Sequence, residues 1–276
     1  MLKQLRFDGY KLIHSRMLWI VYAVSFILML ITPITTAAVE GDSASVFATL
    51  QHVEDTAFVK ISVVLFVAFF VGADYRSGYI KTVISRVEWA KYILSKAVYV
   101  FVFSILWVCV YQLLSLAIIP MGGGEVVGTT AKWVGDISEG EWVYEREKYN
   151  FGLLYCKLLW AGLSAFAYGM LVMFVLMASK STIVALVCGL VYYFVVPSYL
   201  FPEINSLLIS AGVKDQMYII EKYTVTAPFW FFDAFTGEVI KLKKEDLLLY
   251  HFGILFYTLL SVGFSILICY KRKRKN

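Results

Sequence analysis

The sequence predicts an all-α, polytopic membrane protein, and two features of its composition carry that prediction. The chain has 276 residues, of which 60% are hydrophobic and only 16% are charged, whereas a soluble domain carries roughly 25% charged residues. Six apolar runs contain few enough charges to be read as membrane-spanning helices. We therefore expect residues 1–276 to form a single transmembrane domain without a separately folding soluble part.

The predicted spans alternate with polar segments. They cover approximately residues 17–38, 57–73, 97–119, 151–177, 182–196 and 248–270. Before them, residues 1–16 place Leu2, Leu5, Leu12 and Ile13 on one side of a helix and four cations elsewhere. This pattern predicts an interfacial amphipathic helix in the headgroup plane, and a merely basic tail is the alternative. Because these residues precede the first apolar run, that run is expected to be a spanning anchor and not a signal peptide.

Basic residues are divided unevenly between the two sides that this topology creates. One side holds fifteen Lys and Arg against three Asp and Glu, and the other side holds eight against seventeen. The basic side comprises residues 1–16, 74–96, Lys180 and the tail 271–275. Since Lys and Arg concentrate in cytoplasmic segments, we predict that both termini are cytoplasmic in a plasma membrane. The basic tail then ends the last span and does not bind nucleic acid.

The two long outer segments have different predicted characters. Residues 120–150 begin with a glycine-rich stretch and are expected to form a flexible loop. Residues 199–247 are expected to form short amphipathic helices against the outer leaflet. Their aromatic residues fit an interfacial belt, with substrate contact as the alternative; they are Phe229, Trp230, Phe231 and Phe232.

Two lysines lie inside predicted spans, close to their outer ends. Lys60 is in the second span and Lys157 is in the fourth. A long aliphatic stem lets an ammonium reach the interface from such a position, so we expect both side chains to extend outward. Contact with an anion or with a transported substrate is the alternative.

Sequence signatures of catalysis are missing. There is no HExxH, GxSxG or Walker A motif, and the three histidines are scattered along the chain. The four cysteines all fall within apolar runs without metal-ligand spacing. No acidic residue lies in the middle of a span, which argues against a proton- or sodium-driven carrier. We expect a protein that is not an enzyme and binds no cofactor itself.

The segment 74–96, DYRSGYIKTVISRVEWAKYILSK, is the most informative polar stretch. It carries five cations against two acidic residues, and its apolar residues recur at helical spacing. Such a basic, amphipathic cytoplasmic segment can lie along the bilayer or dock on a soluble partner. Docking would place Tyr79, Ile80 and Val83 in an apolar groove of the partner.

The residues of this segment resemble those of the type-2 exporter permeases of ABC transporters. In that family an acidic residue, an Arg and a Gly-Thr follow the second span, then a short helix, a Ser-Arg and a Lys before the third span. Here Asp74, Arg76 and Gly78 fit the first part, and Ser85-Arg86 and the lysines 91 and 96 fit the second. Asp74 replaces the usual Glu and Tyr79 replaces the Thr. The layout of the whole chain is also similar.

The resemblance implies a membrane-spanning permease subunit driven by a separate P-loop ABC ATPase. ATP and Mg²⁺ would bind that partner, and a second copy or a similar permease would complete a dimer in a bacterial plasma membrane. A coupling helix in segment 74–96 would dock on the ATPase. The expected coupling residues are Asp74, Tyr75, Arg76, Ser77, Gly78, Tyr79, Lys81 and Arg86.

The expected transport mechanism is alternating access, in which ATP closes the two ATPase subunits and the paired permeases move substrate outward. The resemblance favours an amphipathic substrate, such as a bacteriocin or lantibiotic peptide or a drug. The alternatives are a multidrug or lipid exporter, or a non-transporting membrane scaffold or sensor partner. In the last case the loop cations would only bind anionic lipid headgroups. An intramembrane enzyme would need a buried catalytic group, and the sequence shows none.

Overall fold

The computed structural model describes residues 2–51, 57–80, 89–126, 129–134, 141–146, 151–195, 256, 258–268 and 270. Most of these residues are helical. One short 3-10 turn, Gly41–Ser43, follows the second helix. The helices are α1 (Leu2–His14), α2 (Arg16–Glu40), α3 (Val46–Gln51), α4 (Ala57–Arg76), α5 (Trp89–Met121), α6 (Phe151–Ser179), α7 (Thr182–Val195) and α8 (Thr258–Ile268). One antiparallel hairpin, β1 (Thr129–Val134) and β2 (Glu141–Arg146), departs from the all-α prediction.

Four helices are long and apolar enough to cross a bilayer: α2, α4, α5 and α6. They correspond to the first four predicted spans, so the prediction of a multi-pass membrane protein is confirmed. The fifth and sixth predicted spans are only partly described. Helix α7 has 14 residues, about 21 Å at 1.5 Å per residue, which is shorter than a bilayer core of about 30 Å. Six spans are therefore not seen among the described residues.

Helix α5 is longer than the apolar run that predicted it. It begins at Trp89, within the predicted polar loop, and not at Ala97. Its 33 residues extend for about 50 Å, so it projects beyond the hydrocarbon core. Hydrophobicity predicted the part that lipid can cover, whereas the helix continues because residues 89–96 contain no helix breaker. Residues 81–88, where the rest of the amphipathic helix was predicted, lie outside the described part.

Helix α4 is the centre of the bundle and packs against α2, α5, α6 and α7. Its side chains Val63, Phe66, Val67 and Phe70 are fully buried. The ring of Phe66 stacks on that of Phe103 in α5, with 3.9 Å between centroids. Lipid tails are as apolar as these side chains, so close packing and dispersion, and not the hydrophobic effect, hold the helices together.

Small residues allow the helices to approach closely. A β-carbon added at Gly169 of α6 would lie 2.6 Å from Val63 Cγ1 of α4 and 2.8 Å from Val100 Cγ1 of α5. Both distances are shorter than van der Waals contact. Helix α6 therefore meets its two neighbours at a point where it has no side chain, as is common for helices packed within membranes.

Large apolar side chains cover the outside of the bundle. They are more than one-third exposed on α2, α5, α7 and α8, and include Trp19, Ile27, Leu106, Leu113, Ile183 and Leu259. A soluble monomer rarely exposes so much contiguous apolar surface. This surface is the one that the lipid tails of a membrane would cover.

The two ends of the bundle carry opposite charge. Successive long helices run in opposite directions, and the Tyr75 hydroxyl at the end of α4 lies 3.3 Å from Met177 Sδ at the end of α6. We call this the basic end, because it also holds α1, Arg76 and Lys180. At the other, acidic end, α2 finishes at Glu40, and the described acidic residues there are Glu40, Asp42, Glu125, Glu141 and Glu145.

The glycine-rich stretch at the acidic end, predicted as part of a flexible loop, makes backbone hydrogen bonds to residues at the start of α3. The backbone N–H of Val46 donates to the Glu125 carbonyl at 3.0 Å, and the Glu125 N–H donates to the Ala44 carbonyl at 2.8 Å. The hairpin then follows, with Trp133 opposite Trp142 in its register. Its strands are rich in Thr, Trp, Val and Tyr, which favour extended structure, a signal that the prediction of a loop did not use.

Lys180, in the turn between α6 and α7, offers a test of backbone strain. Its φ is +61°, a left-handed conformation that glycine adopts without the steric cost of a β-carbon. We expect Lys180→Gly to raise the free energy of unfolding by about 1 kcal/mol, measured by denaturant titration in micelles. Lys180→Ala removes the same charge but keeps the β-carbon. If alanine stabilises the protein as much as glycine does, strain is not the cause.

Candidate functional site

Three elements meet in a buried group of charges at the basic end. The Lys96 ammonium at the start of α5 lies 2.7 Å from Asp8 Oδ1 of α1 and 2.8 Å from Asp74 Oδ2 of α4. All three side chains are at most 1% exposed. Lys11 of α1 forms a further ion pair with Asp74. We call Asp8, Lys11, Asp74 and Lys96 the charge cluster.

Neighbouring polar side chains complete the hydrogen bonding of the two carboxylates. Ser95 Oγ donates to Asp8 Oδ2 at 2.6 Å, and Gln4 Nε2 donates to the same oxygen at 3.2 Å. The Tyr92 hydroxyl donates to Asp74 Oδ2 at 2.8 Å. Every carboxylate oxygen thus has a partner, and two formal negative charges face two positive ones. This balance matters because a buried charge is tolerated only when it is paired and hydrogen-bonded.

An aromatic ring forms one wall of the cluster. The Lys96 ammonium lies 3.9 Å from the centroid of the Phe70 ring, and that of Lys11 lies 5.9 Å from it. Both distances are within the range of cation–π attraction. Burial lowers the pKa of the Lys11 amine below its ordinary value, although the Asp74 carboxylate acts in the opposite direction.

The sequence of α1 brings its polar residues to the cluster. Gln4, Asp8 and Lys11 are spaced by four and three residues, so they share one face of the helix. That face points inward. Gly9 lets α1 approach α5, because a β-carbon there would lie 2.6 Å from the Tyr99 hydroxyl. The same hydroxyl donates to the Leu5 carbonyl at 2.7 Å, fixing the helix against α5.

The first predicted coupling residues divide between the interior and the surface. Asp74 belongs to the charge cluster, and the half-buried Tyr75 reaches Met177. Arg76 and Ser77 are exposed, and the Arg76 guanidinium lies 5.5 Å from the centroid of the Phe69 ring. Gly78 has a φ of +69°, so it turns the chain sharply just after α4 ends. Arg76 and Ser77 are therefore the residues of this turn that a partner could contact.

Tyr79 and Ile80 pack against other residues of this chain. The Tyr79 ring stacks on Phe7 of α1 with 4.9 Å between centroids, and Ile80 is only 7% exposed. These contacts within the chain do not favour docking of the two residues in an apolar groove on a partner, which stays a prediction. The Tyr79 ring instead fastens the beginning of the loop to α1.

The remaining predicted residues are placed as follows. Lys60 is only 3% exposed, so the expectation that its side chain extends to the interface is wrong. Lys157 lies on the second turn of α6, and its side chain is outside the described part. Also outside it are Lys81, Arg86 and the aromatic residues 229–232.

Sequence reasoning missed the cluster, although part of its signal was present. Asp8 is the only acidic residue in the basic segment 1–16, and it shares a helix face with Gln4 and Lys11. Asp74 and Lys96 stand where two apolar runs end and begin. The pairing itself joins residues 63 and 88 positions apart, and no local pattern predicts such a contact.

The charge cluster joins α1, α4 and α5 through buried ion pairs. Both carboxylates are occupied by ammonium groups, and no group of three or more His, Cys, Asp or Glu suited to a metal ion occurs among the described residues. A scan against protein-family models finds no match for this chain, and a search of curated protein sequences finds none either.

Proposed function

We propose that this protein is the membrane-spanning permease subunit of an ATP-driven exporter, powered by a separate P-loop ABC ATPase that binds ATP and Mg²⁺. The proposal combines four long apolar helices with the residues after α4 that resemble those of type-2 exporter permeases. The partner permease would be a second copy or a similar chain.

One observation carries the proposal: the end of α4 is anchored by a buried residue and, two residues later, is exposed where the chain turns. Asp74 is tied to α1 and α5 through Lys11 and Lys96, while Arg76, two residues later, is exposed. A partner that pulls on the exposed turn would therefore move three helices together. A loop that served only to connect two spans would not need such an anchor.

The charge asymmetry supports the orientation that this function requires. Segments rich in Lys and Arg stay on the cytoplasmic side, and the described cations of α1, Arg76 and Lys180 gather at the basic end. Placing that end in the cytoplasm puts the exposed turn where an ATPase is available. The acidic end, with Glu40, Asp42 and Glu125, then faces outward.

For the substrate we propose an amphipathic cationic peptide or a drug. Its support is the acidic character of the outer segments and the aromatic run 229–232. The ATPase rate of the purified complex should rise with such peptides in a concentration-dependent way. A rate that is indifferent to every such peptide tried would count against this substrate class but not against the coupling proposal.

The coupling proposal is tested by purifying the tagged protein in a gentle detergent and identifying its partners by mass spectrometry. We expect a P-loop ATPase to copurify with the wild type and to be lost from the triple variant Arg76→Glu, Lys81→Glu, Arg86→Glu, because charge reversal opposes docking. Arg76→Glu alone should give a partial loss.

Lys180→Glu is the matched control, because it reverses an exposed charge in another turn at the same end. It should retain the ATPase. If no ATPase copurifies with the wild type, the proposal of an exporter permease is wrong, and the alternative of a non-transporting membrane scaffold or sensor partner takes its place.

A further inference from the structure

The outer face of α1 points to a second kind of partner, and it does so independently of the proposed exporter function. Viewed along its axis, α1 has an inner face and an outer face. Gln4, Asp8 and Lys11 lie on the inner face and are used by the charge cluster. The outer face holds exposed side chains of both apolar and basic character.

Part of the outer face, which points away from the bundle, is apolar. Leu2 is 74% exposed and Ile13 is 64% exposed, and their separation of eleven residues returns to nearly the same direction after three turns. The chain enters the spanning helix α2 directly after α1. Helix α1 thus lies at the membrane interface. Exposed apolar side chains there contact lipid.

The outer face also carries cations. Lys3 and Arg6, one turn apart, are exposed and have no ion-pair partner among the described residues. Arg6 is seven residues before Ile13, so the two side chains project in nearly the same direction. Arg16 at the start of α2 is also exposed. The acidic residue of α1, Asp8, is fully buried and points the other way. The outer face therefore presents positive charge without a neighbouring carboxylate on its own helix.

We propose that the outer face of α1 binds the headgroups of anionic phospholipids, with Lys3 and Arg6 as the principal contacts and Leu2 and Ile13 inserted at the acyl boundary. The charge cluster makes this possible, because it holds α1 flat against the bundle with the cations outward. A juxtamembrane cation near an anionic lipid surface contributes about 1 kcal/mol, or roughly a fivefold change in binding.

The test uses the full-length protein in a neutral detergent, titrated with short-chain phosphatidylglycerol or phosphatidylcholine and monitored by native mass spectrometry. We expect tighter binding of phosphatidylglycerol, weakening as salt is raised. The double variant Lys3→Gln, Arg6→Gln should lose on the order of 30-fold in that preference. Lys180→Gln, which removes an exposed cation from the same end but not from α1, should keep it.

Three results would overturn the proposal. One is equal binding of the two lipids by the wild type, and another is an unchanged preference in the double variant. A third is competition by millimolar inorganic phosphate, which would indicate a soluble anion as the natural ligand. Because Lys3 and Arg6 are exposed, the double variant should melt within a few degrees of the wild type, so a lost preference reports binding and not unfolding. Copurification of an ATPase is unaffected by either outcome, which keeps this test separate from that of the exporter function.

Discussion

Lys96→Met is expected to lower the free energy of unfolding by about 3–5 kcal/mol, because it leaves buried carboxylates without their shared countercharge. Asp8 loses its ion pair altogether, while Asp74 keeps Lys11. Methionine retains most of the aliphatic length, so the loss of packing is small. Denaturant titration in micelles, followed by tryptophan fluorescence, measures the change.

The design includes a control on the same helix and a partial rescue. Lys91 is exposed on α5, so Lys91→Met should cost less than about 1 kcal/mol. Adding Asp8→Asn to Lys96→Met removes the orphaned charge and should recover part of the lost stability. If Lys96→Met is no worse than Lys91→Met, or if Asp8→Asn brings no recovery, the pairing of Asp8 with Lys96 does not stabilise the fold.

Gly169→Val is expected to cost about 1–3 kcal/mol, because it inserts atoms into a filled contact between three helices. The added β-carbon would meet the branched side chains Val63 and Val100 at less than 3 Å. Such side chains have few alternative rotamers, so the helices must separate. Thermal unfolding followed by size-exclusion chromatography would report the loss.

Gly263 in α8 is the matched control, since no other helix of the described residues has an atom within 4 Å of the position of its added β-carbon. Gly263→Val should leave stability nearly unchanged. Combining Gly169→Val with Val63→Ala and Val100→Ala creates space for the new side chain and should restore part of the loss. Equal costs at the two glycines would show that helix propensity, and not close packing, governs the effect.

The positions of the first four spans could be predicted from the sequence because hydrophobicity is a local property. Helix α2 ends at Glu40, against a predicted end near residue 38, and α6 ends at Ser179, against one near 177. The beginning of α5 at Trp89 was missed because a helix need not stop where its apolar run stops. Hydrophobicity therefore predicts the presence of a long apolar helix better than it predicts where that helix begins.

The candidate site was only half predictable. The sequence drew attention to Asp74 and Arg76 through their place after the second span, and the structure separates them into a buried anchor and an exposed side chain. The role of Asp8 could not be predicted, because its partner Lys96 is 88 residues away. Similarly, the contact of Tyr79 with Phe7 depends on how α1 is placed, which no local pattern determines.

The separation of Asp8 from Lys96 along the chain also sets an order on biogenesis. A ribosome adds about 5–20 residues per second, so roughly 4–18 s pass between synthesis of the acidic residue and synthesis of its counterion. During that interval Asp8 has no ion-pair partner, although Lys11 can already meet Asp74. The contact of Asp8 with Lys96 can form only after the third span has begun to emerge. A chain truncated before Lys96 would therefore display Asp8 without this countercharge.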